Sequence, residues 1–150
     1  YFNPIGAHKT SLIGELPNGT PDNLLPYVAQ TAAGERDLLT VYGDDYNTKD
    51  GTCIRDYIHV SDIARAHVLA AIKLQTGTLP LAINIGTGHG YSVREVMSEI
   101  LVQSNSKVQP VVVSRREGDP AVLTSDVSLI RDLLEFRAEK SLFEMIRSSI

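Results

Sequence analysis

The sequence predicts an α/β fold, and three observations carry the prediction. Short apolar runs, LLTVY at 38–42, DYIHV at 56–60 and LAINIG at 81–86, alternate with helical patterns. In one of those patterns Val93, Val96, Met97, Ile100 and Leu101 recur at i, i+3, i+4, i+7 and i+8, the stripe of an amphipathic helix. Two of the runs pass into helices through a serine, Ser61 and Ser92, a residue type that accepts the first free helical N–H groups. A chain of 150 residues can build one domain around a core.

Residues 3–22, rich in Gly, Pro, Asn and Thr, are expected to form one long loop. A helix follows, capped by Asp22 or Asn23 and stopped by Gly34, with Leu24, Leu25, Val28 and Ala32 on one face. Pro26 is tolerated in its first turn, where a missing N–H has no helical partner to lose. LLTVY is a strand, GDDYNTKDGT a turn-rich loop and DYIHV a second strand. Ser61 caps a helix to about Gln75, with Asp62 in the first turn, where the helix dipole favours negative charge. LAINIG reads as a buried strand, Ser92 opens the amphipathic helix, and VQPVVVS at 108–114 is a further strand. RREGDPA at 115–121 is a polar loop, Asp126 caps a helical turn to about Phe136, and SLFEMIRSSI begins a last helix without a stop signal.

A net charge of −4 argues against a nucleic-acid surface and leaves room for a local basic pocket that takes one small anion. No apolar run approaches the ~18 residues a membrane helix needs. The single cysteine, Cys53, excludes an internal disulfide framework and fits a reducing compartment. The sequence shows no signal-peptide pattern. It opens on YFNPIGAH, apolar at once and without methionine, which reads as the end of a strand. The expectation is a fragment of something longer.

The stretch NIGTGHGYSV places Gly86, Gly88 and Gly90 between a predicted strand and a helix. A dinucleotide fingerprint, G-x-G-x-x-G, would need glycine where Tyr91 stands, and no acidic residue follows at the ribose-binding distance. The stretch is therefore read as a tight turn. No tyrosine is followed four residues later by lysine, so the tyrosine–lysine proton handler of short-chain dehydrogenases is not in these residues. His8, His59, His67 and His89 lack metal-ligand spacing. The positive signals suit an anion. Arg55 and Arg116 are expected in loops beside glycine turns, and guanidinium matches phosphate oxygens in pairs. Asp22 and Asn23 open a helix whose N–H groups can face an anion. Asp119 can accept from a ribose diol. Each alone reads more readily as a surface arginine, a plain cap or a solvated acid; together in separate loops they favour an anion, and spacing does not show that they converge.

Four stretches, YFNPIGAH, GTPDNLLPYVAQTAAG, DGTCIRDYIHVSDIARAHV and NIGTGHGYSVREV…SRREGDPA, in this order closely resemble the C-terminal part of the NAD-dependent epimerase/dehydratase family of extended short-chain dehydrogenases. The likeness covers nearly the whole chain and is strongest to members that interconvert UDP-glucose and UDP-galactose. It implies that 1–150 is the UDP-sugar-binding C-terminal portion with the end of the Rossmann domain. It implies a chemistry in which NAD+ takes hydride from the sugar C4, the 4-keto intermediate rotates, and hydride returns to the other face. The glycine fingerprint and the catalytic Ser/Tyr/Lys set belong to the N-terminal part of the family, so no catalytic residue is expected here and the fragment alone should be inactive. Tyr1 and Phe2 would lie by the nicotinamide. Asn3 would meet the hexose or the neighbouring phosphate, and Asn23 with the Leu24 backbone the diphosphate. Thr40, Val41 and Tyr42 would hold the uracil, Arg55 and Arg116 the phosphates, Asp119 the ribose, and Val93 the nucleotide. Asp56, Tyr57 and His59 would orient Arg55 and pack its strand. Leu123 stands where the family carries tyrosine for plain hexoses or a small residue for N-acetylated sugars, so acceptance of UDP-N-acetylglucosamine stays open. The resemblance further implies a cytoplasmic, homodimeric full-length enzyme. The other readings are another sugar-nucleotide epimerase or dehydratase of the family, acting on UDP-pentoses or UDP-N-acetylhexosamines, a non-catalytic sugar-nucleotide-binding module, and a split gene product without present function.

Overall fold

The computed structural model describes the chain except for Leu16, Pro17, Thr20, Asp22 and Asp37. Its elements are β1 (Asn3–Ile5), α1 (Leu24–Ala32), β2 (Leu39–Tyr42), β3 (Ile54–Arg55), β4 (Tyr57–His59), α2 (Val60–Thr76), β5 (Tyr91–Ser92), α3 (Val93–Gln103), β6 (Pro110–Val113), β7 (Val122–Leu123), α4 (Ser128–Leu134) and α5 (Leu142–Arg147). The α/β prediction holds. The strands form three small sheets among the described residues: β1 with β4 and β2 with β6, both parallel, and β3 between antiparallel β5 and parallel β7.

Strand β4 shows why two cores form. Side chains of a strand alternate between faces. Tyr57 joins Val28, Leu39, Val96, Ile100 and Ile146 on one side, and the next residue, Ile58, joins Ala66, Ile130 and Phe136 on the other. The predicted stripe on α3 is the seam of the first core: Val96, Met97 and Ile100 are buried, with Val93 and Leu101 packed beside them. Ser92 caps α3 as expected, within a reciprocal box in which Glu95 bonds back to the Ser92 N–H. Helix α1 ends at Gly34 with φ +80, and the N–H groups of Gly34 and Glu35 fold back onto the carbonyls of Thr31 and Gln30.

Several expectations need correction. Residues 3–5, expected in a loop, are strand β1, because their neighbour in space is the distant β4. The strand DYIHV begins earlier, at Ile54, and is broken between Arg55 and Tyr57 as the chain passes from one sheet to another. LAINIG is not a strand: the Phe2 N–H bonds the Ile85 carbonyl, no ladder forms on the run among the described residues, and Leu81 is exposed. A run becomes a strand only where a neighbour supplies a ladder. The RREGDPA loop passes directly into β7, which short length hid from view. The turn from Asp126 is α4, whose cap position is Val127; the Asp126 carboxylate instead bonds the N–H and hydroxyl of Ser128. The last helix stops at Arg147, with Ser141 and Glu144 boxing its start. Of the two proposed caps for α1, Asp22 lies outside the described residues, as does the side chain of Ala32. Asn23 sits at the cap position with its side chain turned to Glu15.

The cap of α2 is His59, not Ser61. The Ser61 N–H donates to Nδ1 of the buried His59, and its Nε2 lies 3.0 Å from Ser148 Oγ. Burial pushes the imidazole below its ordinary value, against the pull of Asp62 and Glu144 and with that of Lys140 and His8. A depressed folded value means that the unfolded chain binds the extra proton first. The stabilisation from neutral His59 is therefore complete above about pH 6.5 and is lost as pH falls through the lowered value. His59→Asn keeps an acceptor at the cap and removes the titration. Urea unfolding at about pH 7 and about pH 5 is expected to show a smaller acid loss in the variant. Equal losses would remove His59 as the source.

Candidate functional site

A cleft of about 290 Å3 opens where the three sheets meet α1. Asn3 and Tyr57, side by side in the β1–β4 register, form one part of its wall. Pro21, Asn23, Leu24 and Tyr27, from the approach to and first turn of α1, form the next. Thr40, Val41 and Tyr42 come from β2, whose only ladder partner among the described residues is β6, so its other edge keeps unladdered backbone groups. Thr52, Cys53 and Arg55, with Val93 at the start of α3, close a third side, and Arg116 and Asp119 reach in from the loop before β7.

The two arginines are held differently. Arg55 is almost buried, its side chain 12 % exposed. Its Nη1 donates to the carbonyls of Ile54 and Pro120, each at 2.8 Å, and its Nη2 to Asp119 Oδ1 at 3.3 Å. The guanidinium is aimed by the loop opposite and keeps donors to spare, since guanidinium carries five. The Arg116 guanidinium sits over the Tyr42 ring, 4.0 Å from its centroid, an attraction between cation and ring face. The chain turns back between them, with the Asp119 N–H on the Arg116 carbonyl and Gly118 at φ +80. The start of helix α1 borders the same space through Asn23, Leu24 and Tyr27, and the Asn23 side chain does not cap it. Two guanidinium groups and the start of a helix thus border one small volume, a composition that suits an anion.

The sequence-derived candidates are therefore gathered into one cleft, with three exceptions. Tyr1 is exposed and Phe2 half-buried on the edge that leads to Asn3, and neither lines the cleft. Leu123 does not line it either. It is half-exposed on β7 opposite Arg55, and partners in register share a face, so it flanks the arginine at the cleft's rim. Asp119, offered as a ribose acceptor, already binds Arg55 through Oδ1. Asp56 does not orient Arg55. Its fully buried carboxylate takes the N–H and hydroxyl of Thr87 on Oδ1, and the Gly88 N–H with the N–H and hydroxyl of Ser125 on Oδ2. Tyr57 packs in the core, where burial raises its phenol well above the usual range. His59 caps α2.

Thr52, Cys53, Tyr57, Tyr27 and Pro21 were missed as lining residues. Cys53, Arg55 and Tyr57 fall at alternate positions of one extended segment, a signal that becomes readable once the run is taken to begin before Asp56.

The glycine turn at 86–90 does not fit a dinucleotide. The N–H groups of Thr87 and Gly88 are occupied by Asp56, and a side chain at Gly86 would meet Ser125 and Asp56. Among the described residues no group of three His, Cys, Asp or Glu side chains is placed to hold a metal ion, and no helix is long and apolar enough to cross a membrane.

Comparison with known proteins identifies relatives over nearly the whole chain. A UDP-glucose 4-epimerase of Mus musculus is 48 % identical over 145 residues, 97 % of this chain and 42 % of the relative. The crystal structure of a UDP-glucose 4-epimerase from Stenotrophomonas maltophila, with bound NAD and formylated UDP-arabinopyranose, superposes with a TM-score of 0.93 at 48 % identity, covering 99 % of this chain and 44 % of that one. A Bifidobacterium longum UDP-glucose 4-epimerase in complex with NAD+ and UDP gives 0.90 at 43 % identity, covering 99 % of this chain and 44 % of that one. The chain thus spans less than half the length of the relatives it matches. With residues 1–86 matching its family pattern, the chain belongs to the NAD dependent epimerase/dehydratase family.

Proposed function

We propose that this chain is the UDP-sugar-binding portion of a UDP-glucose 4-epimerase. The observation that carries the reading is the convergence of Arg55, Arg116 and the start of α1 on one cleft. Its volume, about 290 Å3, falls just under the ~300–1,000 Å3 of ligand pockets, and the reading seats the nucleoside diphosphate there with the hexose projecting past Asn3. The open edge of β2 offers backbone groups to the uracil, Arg55 and Arg116 pair with the diphosphate, and the free oxygen of Asp119 takes a ribose hydroxyl. The nucleotide is tethered while the sugar is not, which suits a reaction that must present both faces of a 4-keto sugar. NAD supplies the hydride chemistry in the named relatives. The glycine turn of this chain does not fit it, so the reading places the cofactor and the proton-handling residues elsewhere in a longer protein. The same reading includes a homodimeric, cytoplasmic enzyme, supported by the sequence resemblance.

The test is calorimetric titration with UDP, alongside turnover of UDP-galactose by the full-length protein. Arg116→Ala is expected to weaken UDP binding by about 1.5–3 kcal/mol, the worth of a charge-assisted hydrogen bond. Unchanged affinity would separate Arg116 from the phosphates. Turnover of another sugar nucleotide with none of UDP-galactose would move the assignment to a different branch of the family.

A further inference from the structure

Arg115 precedes Arg116, points the other way, and lines no part of the cleft. Its Nε donates to Asp45 Oδ1 at 2.7 Å and its Nη2 to the Asp45 carbonyl at 2.5 Å, with the guanidinium 4.3 Å from the Tyr46 ring centroid. The segment it grips is itself closed. The Tyr46 N–H bonds the Gly51 carbonyl, Thr48 Oγ1 bonds the Thr52 carbonyl, and Asp50 accepts from Thr52 and Ser92. Tyr46 is buried. Gly43, at φ +78, makes the approach possible, because a side chain there would start 2.7 Å from Arg115 Cγ and 2.7 Å from the Tyr46 ring. Its N–H bonds the Val113 carbonyl, which carries the contact of β2 with β6 one residue past β2.

We propose that Arg115 is a positioning residue for the anion site: it straps the loop bearing Arg116 and Asp119 to the rigid bend after β2, and so holds Arg116 over Tyr42. Two consecutive arginines hold neighbouring points of one segment, Arg116 the ring of Tyr42 at the end of β2, which lines the cleft, and Arg115 Asp45 and Tyr46 in the bend that follows. Without the outer grip the loop of 114–121 loses its anchor to this bend, and Arg116 must be ordered when the ligand binds. The inference rests on the cleft's being a nucleoside-diphosphate site. Arg115 itself touches no ligand in it.

The experiment compares Arg115→Met, which keeps an apolar stem over Tyr46, and Arg115→Lys with the parent protein carrying the whole chain. Three readouts are taken: UDP affinity, melting temperature, and the ring 13C–1H shifts of Tyr42, which report the guanidinium above it. Arg116→Ala identifies the Tyr42 signal that Arg116 controls. An exposed ion pair adds little to stability, so R115M is expected to leave the melting temperature unchanged. It is expected to move the Tyr42 shifts toward those of R116A and to weaken UDP binding about tenfold, with the R115M and R116A losses less than additive. Lysine cannot bond the carboxylate and carbonyl of Asp45 in one fork, so R115K is expected to recover only part. Unmoved Tyr42 shifts, additive losses or full recovery by lysine would overturn the strap. Moved shifts in a protein that binds no UDP would uphold the strap and overturn the ligand assignment.

Discussion

Asp56→Asn is expected to destabilise the fold by about 3 kcal/mol or more. The carboxylate is fully buried and accepts five hydrogen bonds, and every partner is a donor: two N–H groups from the glycine turn, the Thr87 hydroxyl, and both donors of Ser125. Asparagine offers one acceptor oxygen and turns an NH2 group toward donors that need an acceptor. Each buried donor left unpaired costs about 1–3 kcal/mol. The loss should spread beyond the site, since Asp56 ties the end of β3 to the approach to β5 and to the chain leaving β7. For a chain of this length the melting temperature should fall by roughly 6–12 °C, with the urea m-value unchanged. A fall under about 3 °C would mean that the turn and Ser125 find other partners and that Asp56 is not the clamp.

Arg55→Ala is expected to produce the largest loss of ligand affinity, more than about 3 kcal/mol or a hundredfold in UDP binding. Two effects add. The nearly buried guanidinium is removed, and Asp119, with which it pairs, is left as an uncompensated negative charge beside the diphosphate. Arg55→Lys should recover only part, because one ammonium cannot serve the carbonyls of Ile54 and Pro120, Asp119 and a phosphate with planar geometry. Calorimetry with UDP separates the outcomes. A loss no larger than that of Arg116→Ala would mean that Asp119 is neutralised by another group. Full binding by the alanine variant would exclude Arg55 from the anion site.

Asp56 and Arg55 also show what kind of information sequence carries. The types were legible: an arginine beside a glycine turn suits an anion, and the amphipathic stripe on α3 and its serine–glutamate box follow from spacing within one helix. Roles that depend on long-range neighbours were not. Asp56 adjoins Arg55, and adjacency suggests a partner for the arginine, but successive residues of an extended chain point to opposite faces. The carboxylate meets residues 87, 88 and 125 while Pro120 and Asp119 take the arginine. His59 looked like strand packing because the more familiar cap, Ser61, stood two residues later.

The sequence by itself determined the α/β class, the helices and most of their ends, the residue types that suit an anion, and the family. Each of these is written in local spacing or in motifs long enough to be specific. Only the tertiary structure decided that β1 pairs with β4, that LAINIG stays unladdered, that Leu123 flanks the cleft without lining it, and that Arg115 grips the bend behind Arg116. Those are contacts between segments far apart in the chain, fixed by which backbone groups and which strand faces meet when the cores close, and no local pattern encodes them.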